Sequence, residues 1–501
     1  MRTEIILGPP GTGKTTALLA AVEEELGRGT PPDRIGYVSF TRRAAQEAVA
    51  RACAKFKLSP RDFPFFRTLH SLCYHQLGLK RSDVFQGTKL REFGDYAGVS
   101  VTGHWTEEGS FEGYEVGDRI LFMENLARTR MVNLKASFIV NDDDLGWTEV
   151  DRTAKALAQF KQNRGLVDFT DMLSEFVNHG DRPQIEVLLV DEVQDLSRLQ
   201  WSVVDKLCAG CRRVAVAGDD DQAIYAWAGA DVEHLIEMDG DARVLGRSWR
   251  VPIAVQRVAS EVISGVAHRR LKEWLPRDAD GVVDRVGSFS EVDCDGPDVL
   301  ILARNAFVLR EQVEDELRQR GIVYEKQGGE ISIPRRILDG IETWERLRKG
   351  AAVTGAEARV TYESMRVGSG VARGHKRLPG VADEDLVTMA SLRERGGLLR
   401  DDVWHEALEL LPSDDMSYIL AARRRGEKLR DRPHVRISTI HGSKGGEAAH
   451  VVLFREMARR TYREMESAPD DERRVWYVGA TRARERLTIV DAETELACPW
   501  L

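Results

Sequence analysis

Short runs of aliphatic and β-branched residues recur along the chain, each followed by a stretch whose apolar positions repeat at helical spacing. The runs are Ile5 to Leu7, Ile35 to Phe40, Val187 to Val190, Val214 to Ala217, Val299 to Leu302, Val435 to Ile440, Val451 to Phe454 and Leu487 to Val490. Short apolar runs of this kind read as strands, and strands alternating with helices make parallel sheets with crossover helices. The pattern predicts an α/β fold with two parallel-sheet lobes. It is interrupted twice, over roughly 80–165 and 331–431, where strand signals are sparse and charge-rich helical patterns dominate. Both stretches are expected to be mainly helical insertions, each with an irregular loop, around Gly103 to Gly117 and Gly368 to Gly380.

The length, 501 residues, is enough for several domains with large cores. The net charge of −9 excludes a uniformly basic surface, so any contact with a polyanion needs a local groove. No apolar run approaches the roughly 18 residues that a membrane span requires, and the opening MRTEIILGPPG has too few apolar residues for a signal-peptide core. With six cysteines and only Cys208 and Cys211 close together, nothing resembles a disulfide framework, so a reducing, cytoplasmic location without membrane contact is expected. The basic run Arg423 to Arg432 fits either a duplex DNA contact or a solvated helix face.

Chemistry first becomes legible in GPPGTGKT, Gly8 to Thr15. This phosphate-loop pattern lies between a strand and a helix, the context it requires. Its glycines let backbone N–H groups converge on phosphates at a helix N-terminus, Lys14 reaches the terminal phosphates, and the Thr15 hydroxyl ligates Mg²⁺. Gly8, Gly11, Thr12, Gly13, Lys14, Thr15 and Thr16 are therefore expected to bind nucleotide, with ATP and Mg²⁺ as cofactors. The strand Val187 to Val190 leads directly into Asp191 and Glu192, which places two carboxylates at the ligand-binding edge of a parallel sheet. Asp191 is expected to hold the metal and Glu192 to orient or deprotonate the attacking water.

The longer strings DEVQD, Asp191 to Asp195, and GDDDQAIYAWAGAD, Gly218 to Asp231, resemble the UvrD/Rep (PcrA-like) group of superfamily 1A DNA helicases. Further segments follow in the family's order: VSFTRRAA, RTLHSL, VDFTDML, SWR, ISTIHGSKGGE and ERRVWYVGATRA. The resemblance implies two RecA-like lobes, the first over 1–79 and 166–246 and the second over 247–330 and 432–501, with insertions at 80–165 and 331–431. It implies that Arg250 and Arg482 act as arginine fingers from the second lobe, and that Gln222 senses the γ-phosphate. It also implies that Trp249 stacks on adenine, where the family usually has tyrosine, and that Glu447 contacts the nucleotide sugar. For single-stranded DNA it implies stacking by Phe40, Tyr225 and Trp227 and backbone contacts from Thr41, Thr68, His70, Thr439 and His441.

The implied activity is an ATP-dependent motor moving 3′ to 5′ on single-stranded DNA and unwinding duplex at junctions, in repair or replication, as a monomer or weakly self-associating protein. Alternatives are a translocase that displaces proteins with little unwinding, and a non-motor DNA-binding module switched by ATP. Ala228 departs from the family's usual arginine, so weaker or rerouted coupling of ATP site and DNA groove is expected. The family's adenine-reading segment has no counterpart in the seven residues before Gly8, so looser adenine selectivity is expected as well.

Overall fold

Two six-stranded sheets dominate the molecule, and every pairing in both is parallel. The computed structural model describes residues 2–40, 42–106, 110–140 and 144–501. In the first sheet the strands lie in the order Phe66–Thr68, Ile35–Ser39, Val187–Asp191, Arg213–Gly218, Arg2–Leu7 and Asp241–Val244. In the second the order is Tyr324–Lys326, Val435–Thr439, Val299–Ala303, Ala448–Phe454, Ala483–Val490 and Val282–Val286. The strands expected from unbroken apolar runs are the central ones: Val187–Asp191 and Val299–Ala303 are buried at every residue, as strands covered on both faces must be.

The chain forms two compact units, Met1–Asp280 with Met465–Thr481, and Gly281–Glu464 with Arg482–Leu501. Residues 247–280, assigned to the second lobe by the sequence, thus group with the first unit. The physical reason is that they bond to its loops. Ser248 Oγ donates to the Pro10 carbonyl, and the Arg269 guanidinium grips Asp221.

The two insertions differ. The first has cores of its own, around Phe85, Phe93, Leu121 and Phe160, and around Ile120, Met123 and Val150. Ion pairs tie it to the body of its unit. Asp168 caps the helix Phe169–His179 in a capping box with Asp171. Both carboxylates then pair with Arg128, on the helix Val116–Thr129, and with Lys161, on Trp147–Arg164. Burial raises the Asp168 carboxyl pKa, but Arg128 and Lys161 hold it well below the usual carboxylate range. The second insertion has no separate core: Trp344, Tyr362 and Trp404 join Val299, Ile301 and Val435 in one continuous apolar cluster. Among the described residues no helix is long and apolar enough to cross a membrane.

Candidate functional site

The first sheet gathers its chemistry at the C-terminal ends of its strands. Strand Arg2–Leu7 ends at Gly8, whose N–H donates to the Gly218 carbonyl at 2.9 Å, and the helix Lys14–Gly27 starts six residues on. A Cβ on Gly8 would lie 2.0 Å from the Lys14 Cγ. Gly11 adopts φ +70°, and a Cβ there would lie 2.3 Å from that of Arg250. Both positions demand glycine for the backbone to close over this helix N-terminus. Thr12 Oγ1 donates to the Pro9 carbonyl and closes the turn. Thr16 Oγ1 accepts from Arg51. Lys14 Nζ donates to the Gly8 carbonyl at 3.1 Å and lies 3.7 Å from Glu192.

Asp191 is buried and fully engaged. Its Oδ2 accepts from Thr15 Oγ1 at 3.0 Å and from the Tyr37 hydroxyl at 2.6 Å, while its Oδ1 accepts from the Glu192 N–H at 3.0 Å. Burial, and then the adjacent Glu192 charge, push the Asp191 carboxyl up to about 6. A hydroxyl and a carboxylate in contact, with excess negative charge beside a lysine, fit a hard divalent cation that takes its other ligands from phosphate and water. A cage of three or more acidic, His or Cys ligands, of which the described residues contain none, is not needed for such an ion. Glu192 stands at φ 56°, a left-handed conformation that costs a non-glycine residue about 1 kcal/mol or more.

From Glu192 a hydrogen-bonded path leads to the neighbouring strand's turn. Gln194 Nε2 donates to Glu192 Oε2 at 2.6 Å, and Gln194 Oε1 accepts from the Asp219 N–H at 3.0 Å. Asp219 Oδ2 in turn accepts from Gln222 Nε2 at 2.6 Å. Sequence reasoning singled out Glu192 and Gln222 but missed Tyr37, Gln194 and Asp219, the groups that hold the Asp191 carboxylate and join the two ends.

Trp249 and Arg250 sit against the phosphate loop within the same unit, the Trp249 N–H donating to the Gly11 carbonyl at 2.8 Å. Trp249 is 72% exposed, as a platform for a flat ligand must be. Arg482 belongs to the second unit, where it is 2% exposed and donates to the Gly446 carbonyl at 3.2 Å. Glu447 lies 3.6 Å from Arg484 there.

Of the residues expected to meet DNA, Phe40 and Tyr225 pack with ring centroids 5.7 Å apart, and Tyr225 and Trp227 with 6.4 Å. Phe122, which the sequence reading overlooked, extends the row by stacking on Trp227 at 6.2 Å. A pocket beside them is lined by Phe40, His70, Asn125, Thr129, Tyr225 and Ala228. The Thr68 hydroxyl caps the helix Leu69–Gln76 by accepting from the Ser71 N–H. His70 is buried, and desolvation followed by the Arg42 charge pushes its imidazole down to about 4, so it is neutral at pH 7. Thr439 and His441 lie elsewhere, in the second unit, where Thr439 Oγ1 donates to Gln327 and accepts from the Gly442 N–H. Thr41 lies outside the described residues.

Two other expectations resolve into structure. In the basic run, Arg423 pairs with Glu345, Arg425 with Asp295, Arg430 with Asp339 and Glu342, and Arg432 with Glu325, so four of its cations have carboxylate partners within the protein. Cys208 and Cys211 are free thiols, pushed up to about 12 and 11 chiefly by burial, and so are inert at neutral pH.

A strand, glycine loop and helix holding a lysine, with a carboxylate pair on the neighbouring strand end, define a P-loop nucleotide-binding protein built on two RecA-like parallel sheets. Residues 2–243 match the family model for the UvrD/REP helicase N-terminal domain, and residues 434–490 that for the UvrD-like helicase C-terminal domain. The chain belongs to the UvrD/REP helicase family. It is 24% identical over 297 residues to the ATP-dependent DNA helicase PcrA of Bacillus subtilis, covering 56% of this chain and 40% of that protein. To the Staphylococcus aureus protein of the same name it is 24% identical over 300 residues, 54% of this chain and 39% of the relative. The matched region thus spans about two fifths of the length of these relatives.

Proposed function

We propose that the protein is a DNA-dependent ATPase that moves 3′ to 5′ along single-stranded DNA and separates duplex at junctions. The observation that carries this reading is continuity along one sheet edge. Lys14 faces Glu192, Gln194 and Asp219 link Glu192 to Gln222, and three residues after Gln222 stands Tyr225, at the centre of the aromatic row. A change sensed at the phosphates therefore has a short covalent and hydrogen-bonded route to residues suited to stacking on bases.

ATP supplies the phosphoryl group, and Mg²⁺ supplies positive charge against its oxygens. Lys14 and the N–H groups of Gly8 to Thr16 bind the phosphates, and Thr15 and Asp191 hold the metal. Glu192 orients the attacking water and accepts its proton. Gln222 reads the state of the terminal phosphate, and Arg250 and Arg482 stabilise charge in the transition state. Trp249 and Glu447 serve the nucleoside. Phe40, Tyr225 and Trp227 stack on bases, each such contact being worth about 1 to 3 kcal/mol without regard to sequence, while Thr41, Thr68, His70, Thr439 and His441 contact the backbone.

Strand separation on duplexes carrying a 3′ tail, a 5′ tail or no tail tests the reading. ATP-dependent separation of the 3′-tailed substrate alone is expected. Preference for the 5′ tail would overturn the polarity. Loss of a bound protein block without strand separation would assign the chain to protein displacement, the alternative left open by Ala228.

A further inference from the structure

The turn after strand Arg213–Gly218 carries three consecutive aspartates, Asp219, Asp220 and Asp221, none more than 1% exposed. Three buried carboxylates on adjacent residues repel one another and lack water, so the turn needs cations inside the protein. One comes from a residue to which the sequence reading assigned no role. The Lys272 side chain is 1% exposed, and its Nζ lies 3.0 Å from Asp219 Oδ1 and 3.0 Å from Asp221 Oδ2, with Asp220 Oδ1 in contact as well. The ammonium thus stands among all three carboxylates, donating its hydrogen bond to Asp220 and pairing by charge with Asp219 and Asp221. Arg269 adds a two-pronged contact to Asp221, and the Arg270 N–H donates to Asp220 at 2.9 Å. The segment 268–272 is itself pinned. Arg474, on the helix Pro469–Ala480, donates to the His268 carbonyl, and the Arg270 guanidinium takes the carbonyls of Leu235 and Ile236.

Asp219 is where this cluster meets the candidate site. Its Oδ1 faces Lys272, its Oδ2 holds the Gln222 amide at 2.6 Å, and its N–H reaches Gln194, which holds Glu192. Oδ1 also accepts from the Asp221 N–H at 3.3 Å, so the ammonium and that N–H together hold one carboxylate oxygen and give the other a fixed direction. The Gln222 side chain inherits it through its Nε2, which donates to that oxygen.

We propose that Lys272 is a positioning residue for ATP hydrolysis, setting the Gln222 amide through Asp219. The role rests on the reading of the protein as a DNA-dependent ATPase. Arginine does not reproduce it, because a planar fork cannot address three carboxylates converging on one point.

A mutant cycle in ATP turnover with saturating single-stranded DNA tests it, using Lys272→Met, Gln222→Ala and the double variant. Misplacing a catalytic group by about 1 Å costs on the order of 10²-fold, so Lys272→Met should lower kcat by roughly that factor. The KM for ATP should stay within about twofold, because the phosphate loop is untouched. In the Gln222→Ala background the same substitution should add less than about twofold, the mark of two residues acting as one. Because Lys272→Met removes the one cation that all three carboxylates share, Lys272→Met with Asp220→Asn is measured beside it, with thermal unfolding of each variant. The balanced pair should recover stability while kcat stays low. Recovery of kcat together with stability, or losses that multiply in the cycle, would reduce Lys272 to a charge balance and overturn the proposal. Wild-type protein without DNA-stimulated turnover would overturn the reading beneath it.

Discussion

The two parallel sheets have the same strand number and the same all-parallel pairing, yet they deploy their polar residues differently. In the first, Lys14, Asp191, Glu192, Asp219 and Gln222 all follow the C-terminal ends of strands and form one bonded set. In the second, the candidate residues divide between opposite edges. Thr439 ends its strand, whereas Glu447 and Arg482 stand just before Ala448–Phe454 and Ala483–Val490. Because Val435–Thr439 and Ala448–Phe454 both run parallel to Val299–Ala303, residues 440–447 must carry the chain back from one edge to the other. A single motif, ISTIHGSKGGE, is thereby split. Neighbours in sequence part company whenever a short crossover returns a chain beneath a parallel sheet.

The most severe test of this division is Arg482→Ala. If the N-terminal edge of the second sheet serves catalysis, kcat for ATP should fall by about 10³-fold or more, with ATP binding retained and a thermal melt as the control for folding. A loss under tenfold would leave the chemistry to the first sheet alone.

Next in size is the pH effect of His70, in the first unit. His70 titrates near 4 when folded and near 6.5 when unfolded, so below pH 6.5 the unfolded chain takes up a proton that the folded chain refuses. The His70 contribution to stability is then full above pH 6.5 and falls as pH drops toward 4, by about 3 kcal/mol in all. The Asp191 and Asp221 carboxyls, both raised to about 6, act in the opposite sense over the same range, so the reading is the difference between wild type and His70→Asn in denaturant titrations from pH 7.5 to 4.5; identical slopes would show that His70 does not titrate in this way.

Tyr225→Ala and Trp227→Ala should each weaken single-stranded DNA binding by about 1 to 3 kcal/mol, read by fluorescence anisotropy at fixed salt. Thr439→Ala, on the other sheet, should cost less. The reverse order would move the main DNA track to the second unit. Smallest of all is Arg430→Ala. This guanidinium is already paired with Asp339 and Glu342 at the surface, where such pairs are worth at most about 1 kcal/mol. The salt dependence of DNA binding should not change; a shallower slope would reinstate the basic run as a phosphate contact.

What could be read from the sequence follows from the range of each interaction. The phosphate loop, the Asp191 and Glu192 pair and the central strands are local patterns, visible within a dozen residues. The Tyr37 hydroxyl on Asp191 and the Lys272 ammonium on Asp220 are contacts across 154 and 52 residues, and nothing in the local string marks either partner. Arg250 illustrates a subtler case. Its motif was legible, but the unit it joins depends on the Ser248 and Trp249 bonds to Pro10 and Gly11. The shared core of the second insertion was likewise hidden, since helical periodicity shows that a face is buried and not against what.

ATP turnover with and without saturating single-stranded DNA, for the wild-type chain and Glu192→Gln, bears most directly on the whole account. Wild-type turnover should rise at least about tenfold with DNA, while Glu192→Gln should lose nearly all of it and still bind ATP, as removal of a general base predicts. Turnover indifferent to DNA, or a Glu192→Gln variant as fast as wild type, would contradict it.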